Sequence, residues 1–90
     1  MSSLSLEDKV RFEKFYVKAD YMYIVGTDGI TYKRHKTISE RLKNVTDEDL
    51  KDYEILGNGL GVHWEKYDED LSAAYLIYPE KFKYYPKITD

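Results

Sequence analysis

The chain has no cysteine. That excludes disulfides, thiolate metal sites and cysteine nucleophiles together. It has two prolines, Pro79 and Pro86, both close to its C-terminal end, so the rest of the chain lacks that breaker. No apolar run approaches the roughly 20 residues that span a bilayer. The opening Met-Ser-Ser-Leu-Ser-Leu-Glu-Asp has neither the basic nor the apolar block of a secretory leader. A cytoplasmic location without membrane contact is therefore expected. The chain also lacks a strong charge of one sign. Its 14 basic and 17 acidic side chains leave a net charge of −3, which argues against bulk binding to phosphate backbones. Affinity for duplex nucleic acid is expected to be weak and non-specific.

What is present points to a folded globule. The 90 residues are 42% hydrophobic, too apolar for a disordered chain. Splitting them would leave halves of about 45 residues, near the lower limit for a core without disulfides or metal. A single α+β domain is expected over residues 1–78, with residues 79–90 as a tail or packing arm. Ten tyrosines are an unusual load for this length. Each has an apolar body and a polar tip, which suits half-buried sheet positions and interfaces.

The apolar pattern over residues 10–19 alternates, but its phase slips at Glu13-Lys14. A one-residue slip turns side chains to the other face, so a bulge is expected there. Residues 21–25 are aromatic and β-branched and read as a strand. Thr27-Asp28-Gly29 signals a hairpin, and Ile30, Tyr32 and Arg34 alternate after it. An antiparallel three-stranded meander follows, in which Tyr21, Tyr23 and Tyr32 either leave an aromatic patch on the outer face or complete a core, two readings of equal weight. Thr37-Ile38-Ser39-Glu40 reads as a capping box, predicting a helix through Leu42. Thr46-Asp47-Glu48-Asp49 predicts a second short helix ending near Asp52. Residues 53–56, the turn Gly57-Asn58-Gly59, and the alternation of Leu60, Val62 and Trp64 predict a second hairpin with Trp64 in the core. Asp68-Glu69-Asp70 is expected to cap a terminal helix starting near Leu71.

Residues 57–72, Gly-Asn-Gly-Leu-Gly-Val-His-Trp-Glu-Lys-Tyr-Asp-Glu-Asp-Leu-Ser, resemble the C-terminal signature of domain-of-unknown-function family 2442. That signature runs glycine-rich turn, apolar residue, His-Trp, a three-residue spacer, Asp-Glu-Asp, an aliphatic residue and Ser. Asp28-Gly29 resembles the family's hairpin, and Arg41-Leu42 followed by Thr46 and Tyr53 resembles its helical connection. The chain departs from the pattern at His35-Lys36 and Ile38, where the family often has Pro-Leu and an aromatic. It departs again at Glu65, where a proline usually follows His-Trp. The resemblance implies a small bacterial α+β domain with no known catalytic activity. It also implies a neighbouring small gene, in pairs that resemble toxin–antitoxin modules. Some relatives append a helix-turn-helix domain, which a chain of this length is not expected to carry.

The candidate residues are His63, Trp64, Asp68, Glu69, Asp70 and Arg41. His63 with Asp68 and Asp70 has the residue types for zinc or manganese, or for acid–base chemistry. A structural role weighs more, because a lone histidine is a weak signal and acidic residues commonly cap helices. The basic stretch of residues 33–43, with Lys33, Arg34, His35, Lys36, Arg41 and Lys43, is the candidate surface for nucleic acid. Gly57-Asn58-Gly59-Leu60-Gly61 lacks the P-loop lysine and the dinucleotide spacing, so a hairpin turn explains it. No catalytic residue, metal or cofactor is expected. The reading is a non-enzymatic interaction protein that binds a cognate small protein or itself, in an antitoxin-like pair. The alternatives are a weak nucleic-acid-binding regulator or, further off, a metal-dependent enzyme.

Overall fold

The computed structural model describes residues 9–82. Its strands form two three-stranded antiparallel sheets, each ordered as in the sequence. The first holds β1 (Phe12–Lys18), β2 (Tyr21–Gly26) and β3 (Thr31–His35). The second holds β4 (Glu54–Leu56), β5 (Gly61–Trp64) and β6 (Glu69–Ser72). Between the sheets lies α1 (Asp47–Leu50), and after the second comes α2 (Ala73–Ile77). The α+β class expected from the sequence is the class observed.

The meander forms where the alternation placed it. Register shifts between Phe12 and Lys14, so the phase slip in the sequence is a β-bulge. The bulge lets Phe12 and Phe15 point to the same side, joining Met22 and Ile24 in the core. Gly29 takes φ 85 in the β2–β3 turn, the positive φ that glycine tolerates. Asp28 accepts from the Ile30 N–H (2.9 Å) and the Tyr32 hydroxyl (3.0 Å), and these bonds hold its carboxyl below the usual carboxylate range. Of the two readings open for Tyr32, the core side is the one observed. This tyrosine pairs with Ile24 and packs against the core.

The capping box at Thr37 does not start an α-helix. Residues 36–38 form one 3-10 turn, and the chain continues through single i→i+3 bonds from Leu42 to Ser39 and from Val45 to Leu42. The local polar groups decide this. Nδ1 of His35 accepts from the Thr37 N–H (3.2 Å) and binds its hydroxyl (3.0 Å). The Leu42 N–H donates to the Ser39 hydroxyl at 3.3 Å. Thr46 does cap α1, accepting from the Asp49 N–H at 3.1 Å.

The second hairpin gains a third strand. Residues 69–72 pair with residues 61–64, and the helix begins only at Ala73. Its cap is Ser72, whose hydroxyl accepts from the Tyr75 N–H at 3.0 Å. Asp68 takes a left-handed conformation (φ 51, ψ 46) ahead of the strand, and neither Asp68 nor Asp70 caps a helix. The acidic run was expected to do so; a hydroxyl four residues after Asp68 does it instead.

The inner faces of both sheets close on one core, in which Phe15 meets Trp64 edge-on at 6.2 Å. Helix α2 fills the remaining side against β2, β3, β5 and β6. The glycine-rich turn joins the sheets, since the Phe12 N–H donates to the Gly59 carbonyl at 2.9 Å. At Pro79–Phe82 a 3-10 turn sets Phe82 edge-on against Tyr75, at 5.6 Å between ring centroids. The remainder of the expected tail lies outside the described residues.

Candidate functional site

The signature residues of the second sheet go to four separate places. Trp64 points into the core and is fully buried. Its indole N–H donates to the Leu50 carbonyl at 2.9 Å, satisfying an acceptor left unpaired at the end of α1. Glu69 lies opposite Trp64 on β6 and accepts from the Ser39 hydroxyl at 2.6 Å. Arg41 donates to the Asp68 and Tyr67 carbonyls at 2.8 and 3.3 Å. Tyr75 donates to the Ile38 carbonyl at 2.7 Å. Arg41, Ser39 and Tyr75 together clamp the irregular segment after β3 onto the second sheet and α2. Arg41 and Glu69 therefore do structural work, and Asp68 turns the chain.

His63 and Asp70 do meet. They are cross-strand neighbours on the outer face, together with Glu54. The imidazole sits between two acids: Nδ1 bonds Asp70, and Nε2 bonds Glu65 at 2.8 Å. Glu65 first, and Asp70 with it, raise the His63 pKa from 6.5 to about 9. At neutral pH the ring is a cation that donates from both nitrogens. In that state it has no lone pair for a metal or for a substrate proton. The two carboxylates also occupy opposite ends of the ring. Among the described residues no group of three or more His, Cys, Asp or Glu is placed to hold a metal ion. Glu65 was missed in the sequence; it opens the 3-10 turn after β5 and reaches back to the ring from two residues on. A second such network joins Asp49 to the Tyr67 hydroxyl and to the Lys66 ammonium (3.1 Å), and both bonds hold Asp49 below its ordinary range.

The basic stretch at residues 33–43 does not form one patch. Arg34 turns inward and caps α2, donating to the Leu76 and Ile77 carbonyls at 2.6 and 3.1 Å. Lys36 donates to the Val45 carbonyl at 2.7 Å and pairs with Asp20 at 3.2 Å. Arg41 is taken up as described, and Lys43 pairs with Glu40 at 2.8 Å. Lys33 and His35 are left on the outer face of the first sheet.

That face is the unsaturated surface. Tyr16 lies opposite Tyr23, and Tyr23 opposite Lys33; Lys18 lies opposite Tyr21, and Tyr21 opposite His35. The Tyr16 and Tyr23 rings stack at 4.9 Å, only 5° from parallel. The Lys33 ammonium lies 4.4 Å from the Tyr21 centroid and 5.9 Å from that of Tyr23. Lys14 lies 5.6 Å from the Tyr16 centroid. Tyr16 is 37% exposed and Tyr21 36%, and no paired outward position of the sheet carries an acid. The sequence pattern indicated Tyr21 and Tyr23; Tyr16 was not singled out, although it alternates with Phe15 and Val17 after the bulge.

A separate open groove of about 310 Å³ runs between the β1 bulge and the glycine-rich turn, with Glu13, Lys14, Ile55 and Asn58 in its walls. Neither His63 nor any of the tyrosines lines it. Among the described residues no helix is long and apolar enough to cross a membrane.

Comparison with known proteins agrees with this architecture. A protein of unknown function from Rhodospirillum rubrum, known from its crystal structure, is 30% identical. It superposes with a TM-score of 0.66 over 77% of this chain and 86% of its own. An uncharacterised protein from Chromobacterium violaceum, solved by NMR, is 22% identical and shares the fold. Its TM-score is 0.60 over 74% of this chain and 63% of its own. No curated protein matches. The model of the family described as "Protein of unknown function (DUF2442)" matches residues 15–82. That span takes in the tyrosine-bearing sheet from Phe15 onward, the clamp at Arg41 and Ser39, and the whole His63–Asp70 strand pair, so the chain belongs to the DUF2442 family.

Proposed function

We propose that the protein is a non-enzymatic interaction module whose contact surface is the outer face of the first sheet. The observation that carries this reading is the alternation of tyrosine rings and lysine ammoniums across three strands, with no acid at the paired outward positions. Tyrosine is enriched at the centres of interfaces, and unpaired cations steer an anionic partner toward them. The imidazolium form of His63 supports the non-enzymatic part, because a general base needs a free lone pair near neutral pH. The small cognate protein implied by the family, in an antitoxin-like pair, fits this reading when it offers an acidic surface.

The test is a pull-down of the neighbouring gene's product by the parent and by a Tyr23→Ala, Lys33→Glu double variant. Capture by the parent and loss in the variant is the expected result. Capture that ignores both substitutions refutes this contact face.

A further inference from the structure

We infer that the tyrosine–lysine face is a platform for single-stranded nucleic acid, bound through two or three bases without strong sequence preference. The inference rests on the proposed contact face and names its ligand class.

Size is the first argument. Three strands about 4.8 Å apart, with three outward positions on each, make a patch on the order of 300 Å². A stable protein complex needs about 800 Å² from each partner. The patch alone falls short of that, so a globular partner must reach beyond it, whereas a narrow strand is covered by the patch itself. A peptide strand is a poorer fit, because extended peptides gain their main-chain hydrogen bonds at sheet edges, and a face offers none.

Chemistry is the second argument. Planar bases stack on tyrosine rings, and the stacking tolerates any base because each has a π-face. The backbone between the bases needs cations within reach. Lys14 and Lys33 lie 5.6 and 4.4 Å from the Tyr16 and Tyr21 centroids, and Lys18 stands opposite Tyr21. Exposed cation–π contacts are weak, so the ammoniums can exchange a ring for a phosphate without unfolding the sheet. Duplex DNA hides its base faces and cannot use the rings. The net charge of −3 bears on binding to bulk phosphate, whereas this face concentrates lysines that no carboxylate answers. Rings on a small antiparallel sheet also carry stacked single-stranded bases in RNA-recognition sheets; here Tyr16 and Tyr23 stack on each other, so each of the two offers a base its remaining face only.

The experiment titrates a fluorescent eight-nucleotide oligouridine, the matching duplex and a polyglutamate peptide against the parent at about 50 and 150 mM salt. Three variants are run beside it. Tyr23→Ala removes the central ring. Lys33→Ala and Lys43→Ala remove the same charge, but only Lys33 lies on the face. Far-ultraviolet circular dichroism checks that each is folded. The expected result is oligouridine binding stronger than duplex binding, weakening with salt at a logarithmic slope of about −2 for three phosphate contacts. Tyr23→Ala should weaken it by about tenfold or more, and Lys33→Ala several-fold, with Lys43→Ala unchanged. Equal losses in Lys33→Ala and Lys43→Ala, or equal affinity for duplex, would overturn the inference. Polyglutamate bound through Tyr23 and Lys33 with no oligouridine binding would overturn it too, and would leave the contact face standing. No response to Tyr23→Ala or Lys33→Ala from any probe that binds counts against the inference and the contact face alike.

Discussion

On the first sheet, Tyr16, Tyr23 and Lys33 stand side by side across three strands; on the second, Glu54, His63 and Asp70 do. The two sheets are built alike, as antiparallel meanders with one face in a shared core. They differ in what their outer charges do. On the second sheet His63 finds two carboxylates, and in the turn between β5 and β6 Lys66 finds Asp49 of α1, so ionic partners lie within the chain. On the first, Lys14 and Lys33 rest on aromatic rings, and neither they nor Lys18 meet an acid across the strands. Satisfied charges fix a surface, whereas lysines held only by rings remain available to a partner. That contrast, more than any single residue, is what supports the proposed contact face on the first sheet.

The comparison assumes that the two sheets fold as one unit, and Trp64 tests that most severely. It is fully buried, touches Phe15 of the first sheet and bonds the end of α1. Trp64→Ala should cost about 3–5 kcal/mol, as large-to-small core changes do. Urea unfolding followed separately by tyrosine fluorescence and circular dichroism should show one transition at lower urea. An unchanged midpoint, or two separate transitions, would break the shared-core account.

Next in size is the join itself. Gly29 and Gly59 both hold positive φ, 85 and 95, but their surroundings differ. A Cβ at Gly29 would meet nothing within 4 Å, whereas one at Gly59 would fall 2.2 Å from the Phe12 carbonyl oxygen. Gly29→Ala should cost about 1–2 kcal/mol from backbone conformation alone. Gly59→Ala should cost clearly more, because β1 must move away from the turn. Equal losses in denaturation midpoint would mean that the sheets are not pinned there.

How much of this contrast was legible in the sequence follows from where the partners lie along the chain. The bulge at Glu13-Lys14, the Gly29 turn, the Thr46 cap and the burial of Trp64 each depend on neighbours a few residues away, and each was readable. The strand at residues 69–72 was not. Its alternation was in the sequence, with Leu71 inward and Asp70 outward, but three consecutive acids resemble a helix cap. What holds them in a strand is His63 for Asp70 and Ser39 for Glu69, the latter 30 residues away. The Thr37-Glu40 capping box failed for a related reason: Thr37 is held by His35 just before it, and Ser39 bonds Leu42 and Glu69. The basic stretch misled because a linear run of charge says nothing about which side chains turn inward. Arg34 capping α2 could not be foreseen without the fold.

Ser72 sharpens the reassigned acidic strand at a smaller scale. As the observed cap of α2, its replacement by alanine should cost about 0.5–2 kcal/mol, while Ser72→Asp retains a capping oxygen and most of the stability. Asp68→Gly should cost little or nothing, because glycine tolerates the left-handed backbone at that position. Thermal melts of the three variants order them. A larger loss at Asp68 than at Ser72 would restore the acidic run as the cap.

The smallest effect probes the saturated side of the comparison directly. His63 is held between Glu65 and Asp70, and its pKa rises from 6.5 to about 9. A histidine raised on folding adds stability that is fully present below its unfolded value. That contribution is present in full below about pH 6.5 and is lost as pH rises through about 9. His63→Gln keeps a hydrogen-bonding side chain but never carries the charge. The parent should therefore melt above His63→Gln at pH 6, with the gap closing progressively toward pH 10. The gap should be modest and should narrow further in high salt, since the carboxylates face solvent. Other titrating groups are common to both proteins and cancel in the difference. Zinc at pH 7 should leave the parent's melting temperature unchanged, because an imidazolium offers the metal no lone pair. A gap that stays constant from pH 6 to 10 would mean that the charge of His63 does not support the fold. A zinc-dependent rise lost in His63→Gln would turn the second sheet from a saturated surface into a metal site, and the contrast between the two faces would have to be redrawn.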